Sequence, residues 1–160
     1  MSLPETLQSN PDAVALAKSH RDAILGGKFD RQEWTIDIAA ASIVPACDFL
    51  RAERGYTFLA DLTAYDSYPV EPRFSVVYQL YNVTTHQFLR LKVHVGAEAE
   101  ETPAVDTVTV VWPNANWHER ELFDLFGIRF NGHPDLRRIL MPDDWVGYPL
   151  RRDYPTEGPR

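Results

Sequence analysis

The stretch that most constrains this chain is a pair of alternating runs, "FSVVYQLYN" and "QFLRLKVHV", joined by "VTTH". In the second run Leu89, Leu91, Val93 and Val95 alternate with Arg90, Lys92 and His94, and in the first Phe74, Val76, Tyr78 and Leu80 share one side. Side chains of a strand point alternately to opposite faces, so period two predicts an antiparallel hairpin with one face in a core and one face wet. Such a hairpin cannot bury its apolar face alone. The rest of the chain must cover it.

The flanking sequence offers that cover. "NPDAVALAKSHRDAILGG" predicts a first helix, capped by Asn10 or Asp12 and stopped by Gly26-Gly27, with Val14, Leu16, Ala17, Ile24 and Leu25 as its apolar positions. "EWTIDIAA" is a short strand. "SIVPACDFLRAERGY" is a second helix, with Ser42 as cap, Pro45 in its first turn and Gly55 as terminator. "YTFLADLTAYD" is a further strand, and "SYPVEPR" a loop. After the hairpin the acidic "GAEAEETPAVD" predicts a surface loop, and the apolar "TVTVVWP" is either a last strand or a short helix. "NANWHERELFDLFG" is a third helix ended by Gly127. Beyond it periodicity disappears and no long element is expected. The expected fold is therefore α+β: a mixed, largely antiparallel sheet with helices on one face over residues 1–127, then an extended Pro/Arg-rich tail over 128–160.

Bulk properties exclude several functions. The 160 residues suit one domain with its own core. A formal charge of −7 is wrong for a general nucleic-acid binder, which needs a cationic face for phosphates. The single cysteine, Cys47, excludes an internal disulfide framework and a cysteine-ligated iron–sulfur cluster. No apolar run approaches the roughly 18 residues of a membrane span, so membrane contact is expected only through partners. The opening "MSLPETLQSNPDAVALAKSH" lacks the cationic start and apolar core of a secretory signal.

Acids, bases and aromatics crowd into residues 116–145. At about 100° per residue, Trp117, Arg120, Glu121 and Asp124 share one side of the third helix, opposite Leu122, Phe123 and Phe126. Glu119 falls on the apolar side, where a buried carboxylate needs a cation, and the tail arginines are candidates. Asn116 is a candidate N-cap, and Arg120 can pair with Asp124. A zinc helix would need a second histidine where Leu122 stands, and His133 would have to fold back to reach His118 and Glu119. A stand-alone metal-dependent hydrolase built on these residues with Glu121 is thus the rival enzyme reading. Glu119, Glu121 and Asp124 each have an arginine in local reach, which suits structure better than proton transfer. Cys47 and the serines are far from them in sequence. A Trp/Arg/Glu/Asp face opposite a core face is what a helix presents when a second surface covers it.

The tail repeats itself. "GHPDLRRILMP" and "GYPLRRDYP" share glycine, a ring, proline and Leu-Arg-Arg. Five prolines from Pro134 to Pro159 impose extended or turn geometry, so Trp145, Tyr148 and Tyr154 must bury against something else. Arg137, Arg138, Arg151 and Arg152 are suited to fork onto carboxylates or carbonyls. Asp135, Asp143, Asp144 and Asp153 nearly cancel them, which argues against nucleic acid. The expectation is a strap whose first half lies on its own domain and whose last dozen residues lie on a partner. An exposed aromatic strap also gives the isolated chain a surface for self-association.

"NWHERELFDLFGIRFNGHPDLRRILMPDDWVGYPLRRDYP" resembles the signature of the C-subunit, or 30 kDa subunit, of the proton-pumping NADH:quinone oxidoreductase, respiratory complex I. In cyanobacteria and plastids the same family is called the J-subunit. The resemblance runs from about Trp112 to Pro155. It implies a peripheral-arm subunit on the cytoplasmic side of the bacterial inner membrane, packed beside the quinone-site subunit. It implies no catalytic residue and no bound cofactor in this chain, with FMN, iron–sulfur clusters and quinone held by other subunits. The equivalent subunits of membrane-bound hydrogenases and ferredoxin- or coenzyme-linked oxidoreductases are similar, which leaves the electron donor open. The interface residues implied are Trp117, Arg120, Glu121 and Asp124 on the helix, and His133, Asp135, Arg137, Arg138, Asp143, Asp144, Trp145, Tyr148, Arg151, Arg152 and Tyr154 in the tail.

Overall fold

The computed structural model describes residues 3–97 and 102–157. Its centre is the expected hairpin, β4 (Phe74–Asn82) and β5 (Gln87–Val95), paired antiparallel from Phe74↔Val95 to Asn82↔Gln87. β3 (Phe58–Asp66) joins β4 antiparallel, and β2 (Glu33–Ile38) joins β5 parallel. β1 (Ile24–Asp30) completes a five-stranded sheet of order β1-β2-β5-β4-β3. Three helices accompany it: α1 (Pro11–Ser19), α2 (Ile43–Arg54) and α3 (Ala115–Phe126). The fold is α+β with a mixed, mostly antiparallel sheet.

Burial follows the alternation. Phe74, Val76, Tyr78 and Leu80 of β4 and Leu89, Leu91, Val93 and Val95 of β5 are buried, with Ile36 and Ile38 of β2 beside them. Ile43, Ala46, Cys47 and Leu50, spaced three and four apart along α2, are buried in the same core. Burial pushes the Cys47 thiol well above its ordinary value, so Cys47 packs as a protonated apolar group. Asn10 caps α1 by accepting the N–H groups of Asp12 and Ala13 at 2.9 and 2.8 Å. Asp12 ties α1 to the end of α2, accepting from Arg54 and from the Tyr56 hydroxyl, both at 2.7 Å.

Before α3 the structure departs from the sequence reading of the elements at four places. The first helix ends at Ser19, and Ile24–Asp30 forms an edge strand paired with β2. Gly26 and Gly27 thus stop no helix; Gly27 is required because a Cβ there would lie 2.5 Å from the Thr35 carbonyl and 2.7 Å from Leu7. Ser42 precedes α2 without a side-chain cap bond, because a short 3-10 turn over Ala40–Ser42 leads into the helix. The acidic loop ends in a strand, β6 (Ala104–Asp106), which pairs parallel with β7 (Arg129–Asn131). Residues 98–101 of that loop lie outside the described region. "TVTVVWP" forms neither strand nor helix: it is a turn closed by Val111 and Trp112 N–H bonds to the Val108 carbonyl, with all three side chains buried.

Gly27→Ala is expected to cost about 1–3 kcal/mol by overpacking. Gly26→Ala, where the close contact is the mobile end of Asp37 at 3.1 Å, should cost less. Denaturant unfolding of the two variants measures the difference, and equal effects would show that Leu7 and β2 yield freely.

Candidate functional site: the seam between α3 and the C-terminal strap

α3 carries two fully buried carboxylates, on opposite sides, with different chemistry. Asp124 lies under the strap. Its Oδ1 accepts from Arg138 at 2.6 Å, and its Oδ2 accepts the consecutive N–H groups of Ile139, Leu140 and Met141 at 3.0, 2.7 and 2.8 Å. Burial alone would raise its pKa. The Met141 amide, the Arg138 guanidinium and the other two amides outweigh that and hold it below the usual carboxylate value.

The strap also completes the C-terminus of α3. A helix leaves its last four carbonyls without partners inside the helix. Here Gly127 N–H bonds the Phe123 carbonyl, and the strap bonds the other three: Arg138 to Asp124 (3.1 Å), the Leu150 N–H to Leu125 (3.1 Å) and Arg151 to Phe126 (2.6 Å). Cations at that end also suit the helix dipole. Gly127 has a positive φ of 71°, and a Cβ there would meet the Tyr148 ring at 2.5 Å, so glycine both ends the helix and lets the strap close.

The remaining arginines continue the seam. Arg138 reaches on to the carbonyls of Trp145 (3.0 Å) and Gly147 (3.2 Å). Arg120 donates to the carbonyls of Arg137 and Arg138, each at 3.1 Å, and lies over the Trp117 ring. Arg151 sits between the rings of Phe74 and Tyr148. Farther along, Arg73 forks onto both Asp66 and Asp153, and Asp66 accepts the Arg152 N–H at 2.8 Å. The strap is fastened to its own domain as far as Asp153, which takes in the first residues of the last dozen expected on a partner.

Glu119 lies on the core side, and among the described residues no arginine reaches it. It accepts the Val108 N–H at 2.8 Å and the Thr107 hydroxyl at 2.5 Å, with His133 Nε2 3.9 Å away. Burial pushes its carboxyl up to about 7, against the opposing pull of those two hydrogen bonds. His133 Nδ1 accepts the Asp135 N–H at 3.0 Å, which selects the Nε2–H tautomer, and that N–H faces the Asn116 carbonyl at 3.2 Å. His133 does fold back towards α3, beside Glu119; among the described residues no group of three or more His, Cys, Asp or Glu is placed to hold a metal ion. Asn114, not Asn116, stands at the N-cap, and its side chain bonds the Leu59 carbonyl instead of capping.

The expected interface residues therefore divide. Arg120, Asp124, His133, Arg138, Tyr148 and Arg151 are engaged within the chain, and Arg120 and Asp124 pair with the strap instead of each other. The side chains of Trp145 and Tyr154 are partly buried, with Trp145 Nε1 and Tyr154 Oη buried and without hydrogen-bond partners. Asp135 and Arg137 form an exposed pair at 2.9 Å. The exposed Arg152 reaches the Tyr68 carbonyl at 3.3 Å. Trp117, Glu121, Asp143 and Asp144 face outward. Arg73, Asp66 and Thr107 were not singled out from the sequence. Each acts across the fold, 80 residues apart in the Arg73–Asp153 case, and no local pattern marks them.

The fold and the seam define a class: a small α+β domain closed by a proline-rich strap that finishes its last helix. The chain belongs to the family described as "Respiratory-chain NADH dehydrogenase, 30 Kd subunit", whose sequence profile matches residues 36–160. It is 45% identical over 153 residues to a protein of Geobacter sulfurreducens named as the C-subunit of NADH-quinone oxidoreductase, covering 95% of this chain and 93% of that one. A protein of the same name from Geotalea uraniireducens is 45% identical over 98% of this chain and 94% of its own length. One from Roseiflexus castenholzii is 45% identical over 91% of this chain and 84% of its own. No helix among the described residues is long and apolar enough to cross a membrane.

Two outcomes test the seam. Asp124→Ala leaves Arg138 and three amides without their acceptor and should cost about 3–5 kcal/mol, with faster proteolysis of the strap. Because the folded pKa of Asp124 is depressed, its stabilisation is present above its unfolded value and lost as pH falls through the folded one. Limited proteolysis across an acid series follows the release. Glu119 behaves oppositely. Its folded pKa is raised to about 7, so its ionisation opposes folding increasingly between the unfolded value, 4.5, and about 7. Glu119→Gln should gain stability relative to the parent as pH rises from 5 to 8, by at most about 3 kcal/mol. Urea unfolding at both pH values reads this, and a pH-independent difference would mean that Glu119 is ionised in both states.

Proposed function

We propose that this chain is a non-catalytic scaffold subunit in the peripheral arm of a proton-translocating NADH:quinone oxidoreductase. In this reading it supports the quinone-site subunit from the cytoplasmic side of the bacterial inner membrane. Flavin, iron–sulfur clusters and quinone are then carried by other subunits, and this chain meets the membrane only through them. The observation that carries the reading is the use made of the ionisable groups. Arg120, Asp124, Arg138 and Arg151, four of the ionisable groups that crowd the third helix and the tail, hold the strap to α3. Groups locked in such bonds are fixed in orientation and charge, which suits a supporting surface better than proton transfer. The names of the relatives support the same assignment.

Arg138→Ala is expected to lower the yield of assembled complex while flavin and cluster content per assembled complex stays unchanged. Purification of the complex from membranes, with flavin and iron quantified against protein, reads both. Normal assembly with lost quinone reduction would overturn the scaffold reading in favour of a direct catalytic role.

A further inference from the structure

The strap sorts its charges. In sequence its arginines and aspartates alternate and nearly cancel, but in the fold two of the four arginines, Arg138 and Arg151, turn inward. Arg138 and Arg151 lie in the seam and Arg73 holds Asp153, while Asp135 and Arg137 neutralise each other. Three outward-facing residues of α3 and the strap are unpaired acids. Glu121, Asp143 and Asp144 are exposed and have no ion-pair partner among the described residues.

Exposed apolar side chains accompany these carboxylates, Trp117 and Leu140 beside Glu121 in one groove, and Val146 following Asp143 and Asp144 along the strap. Trp117 is 62% exposed, Leu140 56% and Val146 70%. Trp117, His118, Glu121, Ile139 and Leu140 line one shallow groove of about 210 Å³, so α3 and the strap contribute to a single surface. Its position is fixed, because Asp124 pins the backbone of residues 139–141, immediately before Asp143 and Asp144. Arg120 covers one side of the Trp117 ring at 5.3 Å, and the ring remains largely exposed.

We propose that this surface is an anionic docking site for a lysine- or arginine-bearing, apolar-flanked segment of the neighbouring subunit. The proposal rests on the scaffold reading above and specifies its chemistry: the contact is made by acids, with the tail arginines already engaged inside the chain. Apolar area with exposed, unpaired carboxylates favours a basic partner, since each incoming cation gains attraction without displacing an existing pair. A second copy of this chain fits poorly, because its formal charge of −7 brings like charge to the patch. The bare Trp117 ring offers a further seat for a cation or an apolar side chain.

Carbodiimide activation tests this on the intact complex and on the full-length chain alone. With glycine ethyl ester as the soluble amine, Glu121, Asp143 and Asp144 should be modified in the free chain. In the complex they should be protected or joined to lysines of another subunit, with the exposed Asp30 modified equally in both as the control. The triple variant Glu121→Gln/Asp143→Asn/Asp144→Asn, which breaks no side-chain bond among the described residues, should weaken retention in the complex at moderate salt by about tenfold. Equal modification of the three carboxylates in complex and free chain would overturn the proposal, as would cross-links to a second copy of this chain. Absence of the chain from any quinone-reducing membrane complex would instead remove the scaffold reading, so the two failures are distinguishable.

Discussion

The strap depends on one carboxylate. Asp124 gathers three successive amides and a guanidinium onto two oxygens, in a place closed to solvent. A proline-rich segment has few donors and no ladder of its own, so it needs an acceptor that can serve several at once. An ionised carboxylate on a rigid helix is such an acceptor. Once residues 138–141 are held, Arg138 can reach the Trp145 and Gly147 carbonyls, and Tyr148 can settle against Gly127. The helix and the strap are mutually dependent: one supplies the anion, the other finishes the helix's carbonyls.

The two buried acids of α3 show how environment divides identical chemistry. Asp124 is surrounded by donors and stays charged. Glu119, five residues earlier on the core side, receives one amide and one hydroxyl, and burial dominates. A negative charge is used where it can organise a segment, and is suppressed where it would oppose the core.

Much of this was legible from spacing. The β4–β5 hairpin announced itself because one face is fully buried and the other is for the most part only half-buried or exposed, which favours alternation. α3 was legible as a helix needing cover on two sides, with Arg120 and Asp124 on the outer one. Which surface covers it was not, because a strap of the same chain and a partner demand the same residues. β1 was missed since "AILGG" is compatible with a helix end, and only pairing with β2 and the packing of Leu7 on Gly27 decide otherwise. The partners of Glu119 were likewise hidden: a turn at Thr107 and Val108 supplies donors that no periodicity reveals.

The order of strands carries a consequence for synthesis. β5, the middle strand of the sheet, is also the last of its five strands in the chain. The β1–β2 hairpin is complete by Ile38, yet the strand it must join begins at Gln87. At roughly 5–20 residues per second, translation leaves several seconds in which the inner edge of β2 has no partner. During that interval the nascent hairpin exposes unpaired backbone groups that any other extended segment could use. The parallel β2–β5 junction is thus where a growing chain is most open to wrong pairing, and β5 closes that edge.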